Sequence, residues 1–193
     1  MFQVRFHGRG GQGVVTAAEL LAEAAFREGR HAQAFPSFGS ERMGAPVMSF
    51  CRIDDKPIRT HEPVSEPDAL IIQDPTLVHQ ADLFSGLDRE GYMLINSTKG
   101  FDELGLDEFV KDFHRDRLLV VPASALALTH LGRPLPGAPL LDGFAALTEM
   151  VSLDSVLAAI NDRFTGPVAE GNVKAAQVAF DFVADEREAL THA

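Results

Sequence analysis

The residues best placed to do chemistry stand near the start of the chain, in the run His7-Gly8-Arg9-Gly10-Gly11-Gln12-Gly13. Glycines at 8, 10 and 13 give the spacing G-x-G-x-x-G. Where such a run follows a strand and opens a helix, the backbone can approach an anion closely. The helix end then presents free N–H groups and about half a positive charge. Two readings stay open. Gly8, Arg9, Gly10, Gly11, Gln12 and Gly13 either cradle a phosphate or carboxylate, or form a tight turn whose glycines serve packing alone. A side chain at Gly10 is expected to obstruct a ligand, and one at Gly13 to disturb the packing of helix against sheet. A dinucleotide site needs more, namely an acid about 20 residues on, at the end of a second strand, to hold a ribose hydroxyl. The stretch that should supply it, Arg30-His31-Ala32-Gln33-Ala34-Phe35, has no acid and reads as a poor buried strand. That argues against NAD and against an independent nucleotide-binding dehydrogenase.

No catalytic set accompanies the loop. The histidines, at 7, 31, 61, 79, 114, 130 and 192, place no two on one helix at metal-ligand spacing, and no His/Cys cluster occurs. Cys51 is the single cysteine, too few for an internal disulfide or for an iron–sulfur cluster, which takes about four thiolates. It reads as a core residue. Ser37 and Ser40 lie outside any Gly-x-Ser-x-Gly elbow, and Glu186 and Glu188 read as a solvated helix face. A second run, Phe35-Pro36-Ser37-Phe38-Gly39-Ser40-Glu41-Arg42-Met43-Gly44-Ala45-Pro46, combines aromatics, arginine and methionine with no helical or strand period. Those residue types are enriched at interface centres. This loop is expected to meet a partner, with Arg42 as the natural contact for an anion held there.

The elements that must position these residues follow from local pattern. Phe2-Gln3-Val4-Arg5-Phe6 alternates as a strand with one face less buried, and residues 14–25, rich in Ala and Leu, read as a helix stopped by Gly29. Val47 to Ile53 reads as a strand, turned by Asp54-Asp55-Lys56, with Pro57-Ile58-Arg59 as a short returning edge strand. Three short apolar runs, at 69–72, 92–95 and 118–121, are the kind expected of parallel strands buried on both faces. Helices are expected between them, at 77–84 and 106–113, and then at 124–131, 140–151, 153–164 and 173–190, the last capped by Asn172. Strands alternating with helices give an α/β, Rossmann-like fold, with a mostly parallel sheet flanked by helices and a helical C-terminal third. The 193 residues read as a single domain.

Bulk charge narrows the partners. A net charge of −11, from 28 acids against 17 bases, repels phosphate backbones and anionic membrane surfaces, so nucleic acid and membrane are not expected partners. No apolar run reaches the roughly 18 residues of a membrane span, and Met1-Phe2-Gln3-Val4-Arg5-Phe6 has no secretory signal pattern. With one cysteine, the expected location is the cytoplasm.

At this point the residues resemble a family. Gly8-Arg9-Gly10-Gly11-Gln12-Gly13-Val14-Val15-Thr16-Ala17-Ala18-Glu19-Leu20-Leu21 is similar to the opening of the gamma subunit of pyruvate/2-oxoacid:ferredoxin oxidoreductases. The run from Phe35 to Pro46 resembles it too, except that Met43 stands where the family often has arginine. Pro67-Asp68, Asp74-x-Thr76-Leu77, Leu131-Gly132-Arg133-Pro134 and Val151-Ser152-Leu153 also match. The resemblance implies an accessory subunit in a hetero-oligomer that oxidatively decarboxylates a 2-oxoacid to an acyl-CoA. It also implies thiamine diphosphate and iron–sulfur clusters on partner subunits, with coenzyme A shared between this chain and a partner.

Overall fold

The computed structural model describes residues 1–37, 43–80 and 82–192. Six strands form one mixed sheet: β1 (Phe2–Arg9), β2 (His31–Pro36), β3 (Pro46–Asp54), β4 (Ala69–Ile72), β5 (Tyr92–Asn96) and β6 (Leu118–Val121), in the order β2-β3-β1-β4-β5-β6. The run β1-β4-β5-β6 is parallel, and β3 pairs antiparallel with both β1 and β2. The helices are α1 (Val14–Arg27), the four-residue α2 (Asp107–Val110), α3 (Ala123–Leu131), α4 (Gly137–Thr148), α5 (Leu153–Arg163) and α6 (Gly166–Thr191). The α/β architecture, mostly parallel sheet and helical C-terminal third are those expected from the alternation of apolar runs.

Alternation along the strands divides the side chains between two faces. One face carries Val4, Phe6, Cys51, Ile53, Ile71, Leu94 and Val121 and packs on α1, α4, α5 and α6 in an apolar core centred on Phe144. The other face carries Leu70, Ile72, Met93, Ile95 and Leu118, covered by Leu77, Leu83, Leu104 and Val110 from the two connections that follow β4 and β5.

Several local expectations fail for identifiable reasons. Residues 31–36 do form a strand, because its half-buried row pairs with β3 at the sheet edge, where continuous burial is not required. The partner of β3 in that hairpin is therefore upstream, and Pro57-Ile58-Arg59 is not a strand. Residues 77–84 are not a helix: a 3-10 turn at Pro75–Leu77 is followed by further turns. The carbonyls of Leu83 and Ser85 instead accept from the Arg5 guanidinium, at 2.9 and 2.7 Å. The helix expected over 106–113 shrinks to α2. Asn172 does not cap the last helix, which starts at Gly166; its side chain is buried and donates back to the Val168 carbonyl. The alternating pattern of β1 does not leave an open face either. Arg5 and His7 are both 6% exposed.

That buried polar row is internally satisfied. The Arg5 Nε donates to His7 Nε2 at 3.0 Å, while its other nitrogens reach the carbonyls of Val64, Leu83 and Ser85. Burial, and then the neighbouring Arg5 charge, push His7 down to about 3, so its imidazole is neutral and can accept that bond. On β3, Arg52 donates to Gln3 and to the Glu62 carbonyl and lies 5.2 Å over the Phe35 ring.

Candidate functional site

The glycine run sits where the sheet changes direction of winding. After β1 the chain turns to the helical face as α1, whereas after β4 it turns to the opposite face. Two adjacent parallel strands that send their connections to opposite faces leave a crevice at their carboxyl ends, the usual ligand position of open α/β sheets. Here that crevice is filled by side chains of the chain itself. Asp74, at the end of β4, accepts from the Thr76 amide and hydroxyl through Oδ1, at 2.9 and 2.5 Å. Its Oδ2 accepts from Gln12 Nε2 at 2.8 Å and lies 3.3 Å from Arg9 Nε. The other end of the Gln12 amide accepts from the Arg9 backbone N–H at 2.8 Å. Arg9 also donates to the Thr76 hydroxyl at 2.9 Å and to the Gly44 carbonyl at 3.0 Å. Burial alone would raise the Asp74 carboxyl. The bonds from Thr76 and Gln12, with the Arg9 charge, outweigh it and hold the group below its ordinary value.

This latch fixes the glycines in distinct roles. Gly8 is a close-packing glycine: a Cβ there would stand 2.6 Å from Val14 Cγ2 and 3.2 Å from Gln73 Cβ. Gly10 anchors the following loop, donating to the Ala45 carbonyl at 2.9 Å and accepting from the Gly44 N–H at 3.1 Å. Gly11, at φ +93°, lies under the Met43 thioether, 2.5 Å from where a Cβ would stand. Gly13, at φ +74°, is the residue before α1, and nothing lies within 4 Å of a Cβ on it. The expectation for Gly13 thus changes. Packing of helix against sheet is the role of Gly8, and Gly13 is required for its left-handed backbone alone.

The amides of Arg9, Gly10 and Gln12 are already bonded within the chain. The first turn of α1, whose cap residue Gly13 supplies no side-chain oxygen, also offers N–H groups to an anion. That turn opens on a cavity of about 400 Å³, bounded by Gly11, Gln12, Gly13 and Thr16 on one side and by Arg133, Val168 and Asn172 on the other.

Of the interface run, Phe35 is half-buried against Phe50, with ring centroids 5.1 Å apart, so it serves β2 and β3. Met43 is 87% exposed beside the glycine loop. Phe38 and Arg42 lie outside the described residues. Cys51 is fully buried, and burial pushes its thiol up, which makes it inert. Among the described residues no group of three His, Cys, Asp or Glu side chains could hold a metal ion.

Motif reading singled out Asp74-x-Thr76-Leu77 but gave Asp74 no role at the glycine loop. The signal was present: Asp-Pro-Thr after an apolar strand is an Asx turn, with a carboxylate free to accept from a neighbouring loop. The cavity beyond Gly13 carried no such signal, because its far wall comes from residues more than a hundred positions away.

Fold and site together define a class: an α/β protein with a glycine loop at the winding switch of its sheet, latched in place by Asp74, Gln12 and Arg9. Comparison with known proteins narrows this. Residues 3–182 match the family described as pyruvate ferredoxin/flavodoxin oxidoreductase. The common gamma subunit of the pyruvate/ketoisovalerate oxidoreductases of Pyrococcus abyssi is 45% identical over 94% of this chain and 96% of its own. The pyruvate synthase subunit PorC of Methanothermobacter marburgensis is 43% identical over 94% and 97%. The crystal structure of the pyruvate oxidoreductase subunit PORC of Thermotoga maritima matches with a TM-score of 0.79 and 34% identity, over 93% of this chain and 95% of that one. The fold, though little of the sequence, recurs in the 2-oxoglutarate:ferredoxin oxidoreductase of Magnetococcus marinus, solved with coenzyme A and succinyl-CoA bound. There the TM-score is 0.71 at 15% identity, over 96% of this chain and 31% of that one. The chain belongs to the pyruvate ferredoxin/flavodoxin oxidoreductase family, as a gamma-type subunit of a multi-subunit 2-oxoacid oxidoreductase.

Proposed function

We propose that this chain acts as one unit that shapes the coenzyme A end of the 2-oxoacid oxidoreductase reaction, without reacting groups of its own. The observation that carries the reading is the latched loop. Asp74, Gln12 and Arg9 hold Gly8 to Gly13 and the 43–45 backbone in one arrangement, and the first turn of α1, without a side-chain cap, opens on the cavity beyond Gly13. Such an end favours a phosphate group. Arg42, for which the sequence argument alone speaks, would add a charge from the neighbouring loop. Met43, exposed over Gly11, offers an apolar contact to a partner subunit.

The redox groups belong on partner chains in this reading. One inert, buried cysteine cannot ligate an iron–sulfur cluster, and the resemblance places thiamine diphosphate on a partner as well. The cytoplasm is the compartment that suits an enzyme with clusters to protect. In keeping with it, no helix among the described residues is long and apolar enough to cross a membrane.

The test uses the open space around Gly13. Asparagine and aspartate are nearly isosteric and tolerate a left-handed backbone, and a Cβ at Gly13 meets nothing within 4 Å, but only aspartate repels a phosphate. In the assembled enzyme, Gly13→Asp should raise the apparent KM for coenzyme A about tenfold or more with that for the 2-oxoacid unchanged, and Gly13→Asn should not. Equal coenzyme A dependence in both variants would remove the phosphate role and leave a structural turn. The subunit role is tested separately: a tagged copy should recover larger chains carrying thiamine diphosphate and clusters, and the chain alone should show no oxidation of 2-oxoacids.

A further inference from the structure

β6, Leu118-Leu119-Val120-Val121, is the last strand of the sheet and pairs only with β5. Along a strand in a parallel ladder, one residue bonds its neighbour through both backbone groups and the next turns both away. The Ser97 N–H donates to the Val121 carbonyl at 3.0 Å, and Asn96 lies opposite Val121, which fixes the phase. Leu119 and Val121 serve β5, whereas Leu118 and Val120 point their N–H and C=O groups out of the sheet. Among the described residues no hydrogen bond uses those groups. Leu118 is buried and Val120 half-buried, where an unpaired backbone group is costly. The opposite edge strand, β2, ends in Pro36, which has no N–H to offer a further strand. β6 contains neither a proline nor a charge to block pairing.

This edge lies along a groove of about 750 Å³. Phe101, with Arg115 beside it, walls the groove on the loop-covered face of the sheet, and Phe182, Glu186 and Leu190 wall it on the helical face. The cations Lys99 and Arg115 are matched by the acids Asp102 and Glu186, so the lining selects backbone and apolar surface rather than charge. Walls on both faces admit one extended chain. They keep out a second sheet edge flanked by the same walls, so two copies of β6 cannot meet. We infer that β6 is an interaction edge, completed in the assembled enzyme by an extended, uncharged and partly apolar segment of another subunit, which adds a further strand through the backbone groups of Leu118 and Val120. Nothing in this pairing requires an anion at the glycine loop.

The test follows hydrogen exchange, resolved to single amides, in the full chain alone and in the assembled enzyme. The Val120 N–H should exchange about tenfold or more slowly in the assembly, while those of Leu119 and Val121, already bonded to β5, are slow in both states. Two substitutions then separate side chain from backbone, since Val120→Thr keeps the N–H and Val120→Pro removes it. In dissociation of the tagged chain from its partner subunits, Val120→Thr should stay within about threefold of the parent and Val120→Pro should weaken binding about tenfold or more. Should circular dichroism show that Val120→Pro disturbs the fold, Glu186→Trp decides: it fills the groove from an exposed position and should weaken assembly about as much. Equal exchange at Val120 in the two states, equal binding by folded Val120→Thr and Val120→Pro chains, or full assembly of a folded Glu186→Trp chain overturns the inference. Protection of Val120 that grows with the concentration of the chain alone would assign the edge to a second copy and overturn it as well.

Discussion

The two faces of the sheet are covered by different means. The helical face is closed by α1, α4, α5 and α6, whose apolar side chains interlock around Phe144 at 1% exposure. The opposite face, over β1 and β3, is closed by segments with almost no helix, held by arginines that rise from the strands and donate to loop carbonyls. The first solution is non-directional and tolerates exchange of one apolar side chain for another. The second is directional, since each carbonyl needs a donor at a set place and a lost donor leaves several acceptors buried together. The glycine loop stands where the two regimes meet, with Val14 on the helical side and Asp74 on the other.

Removing the anchor of each face gives the largest expected effects. Phe144→Ala should cost about 3–5 kcal/mol by opening a cavity in the helical core. Arg5→Met keeps much of the volume but strips the donors from three carbonyls and from His7, and should cost a comparable amount, about 3–5 kcal/mol. Urea unfolding of the two variants measures both. A cost below about 1 kcal/mol for Arg5→Met would show that the second face is held by burial after all.

The helical face contains one element of the wrong kind. Asp142 is fully buried in α4 with neither carboxyl oxygen bonded among the described residues, and burial pushes it up to about 8 from 3.8. The folded chain therefore holds a proton that the unfolded chain has released between those values. Stability from this group is greatest below 3.8 and falls as pH rises towards 8. Asp142→Asn cannot ionise. Relative to the parent chain it should gain about 1–3 kcal/mol at pH 8.5 and little at pH 4.5, read from thermal unfolding at the two pH values. An equal effect at both would mean that the carboxyl is not buried unpaired.

Between the faces, Gly8→Ala forces a methyl against Val14 and Gln73 and should cost about 1–3 kcal/mol, whereas Gly13→Ala bears only the left-handed backbone, about 1 kcal/mol. Chemical denaturation ranks them, and the reverse order would overturn the roles given to the two glycines.

The smallest global effect belongs to the latch. Asp74→Ala should change stability by under about 1 kcal/mol, since Arg9 is partly solvated. Amide exchange at Arg9 and Thr76 should nevertheless accelerate about tenfold as their acceptors are lost or freed. In the parent chain the same acceleration should appear only when pH falls through the depressed Asp74 value, because the carboxylate is the acceptor. Unchanged exchange would mean that the loop is held without Asp74.

What the sequence by itself determined is what depends on neighbours along the chain. The short apolar runs gave β4, β5 and β6, the glycine spacing gave a turn between β1 and α1, and the single cysteine removed disulfide and cluster chemistry. Long matching runs, at Gly8 and at Phe35, were enough to point to the family. Tertiary structure alone decided three things. The polar residues of β1 became buried, with the Arg5 donors meeting loop carbonyls from 59 to 80 positions away. Residues 77–84 became a succession of turns, and the carbonyls of Leu83 and Ser85 accept from Arg5. Asp74 was joined to Gln12 and Arg9, and Asn172 to the cavity beyond Gly13, by the order in which strands lie side by side and by the long return of α6 across the sheet. Local pattern reports a residue's preference for a conformation; which distant donor meets which acceptor is fixed only when the strands have been ordered and the connections laid over them.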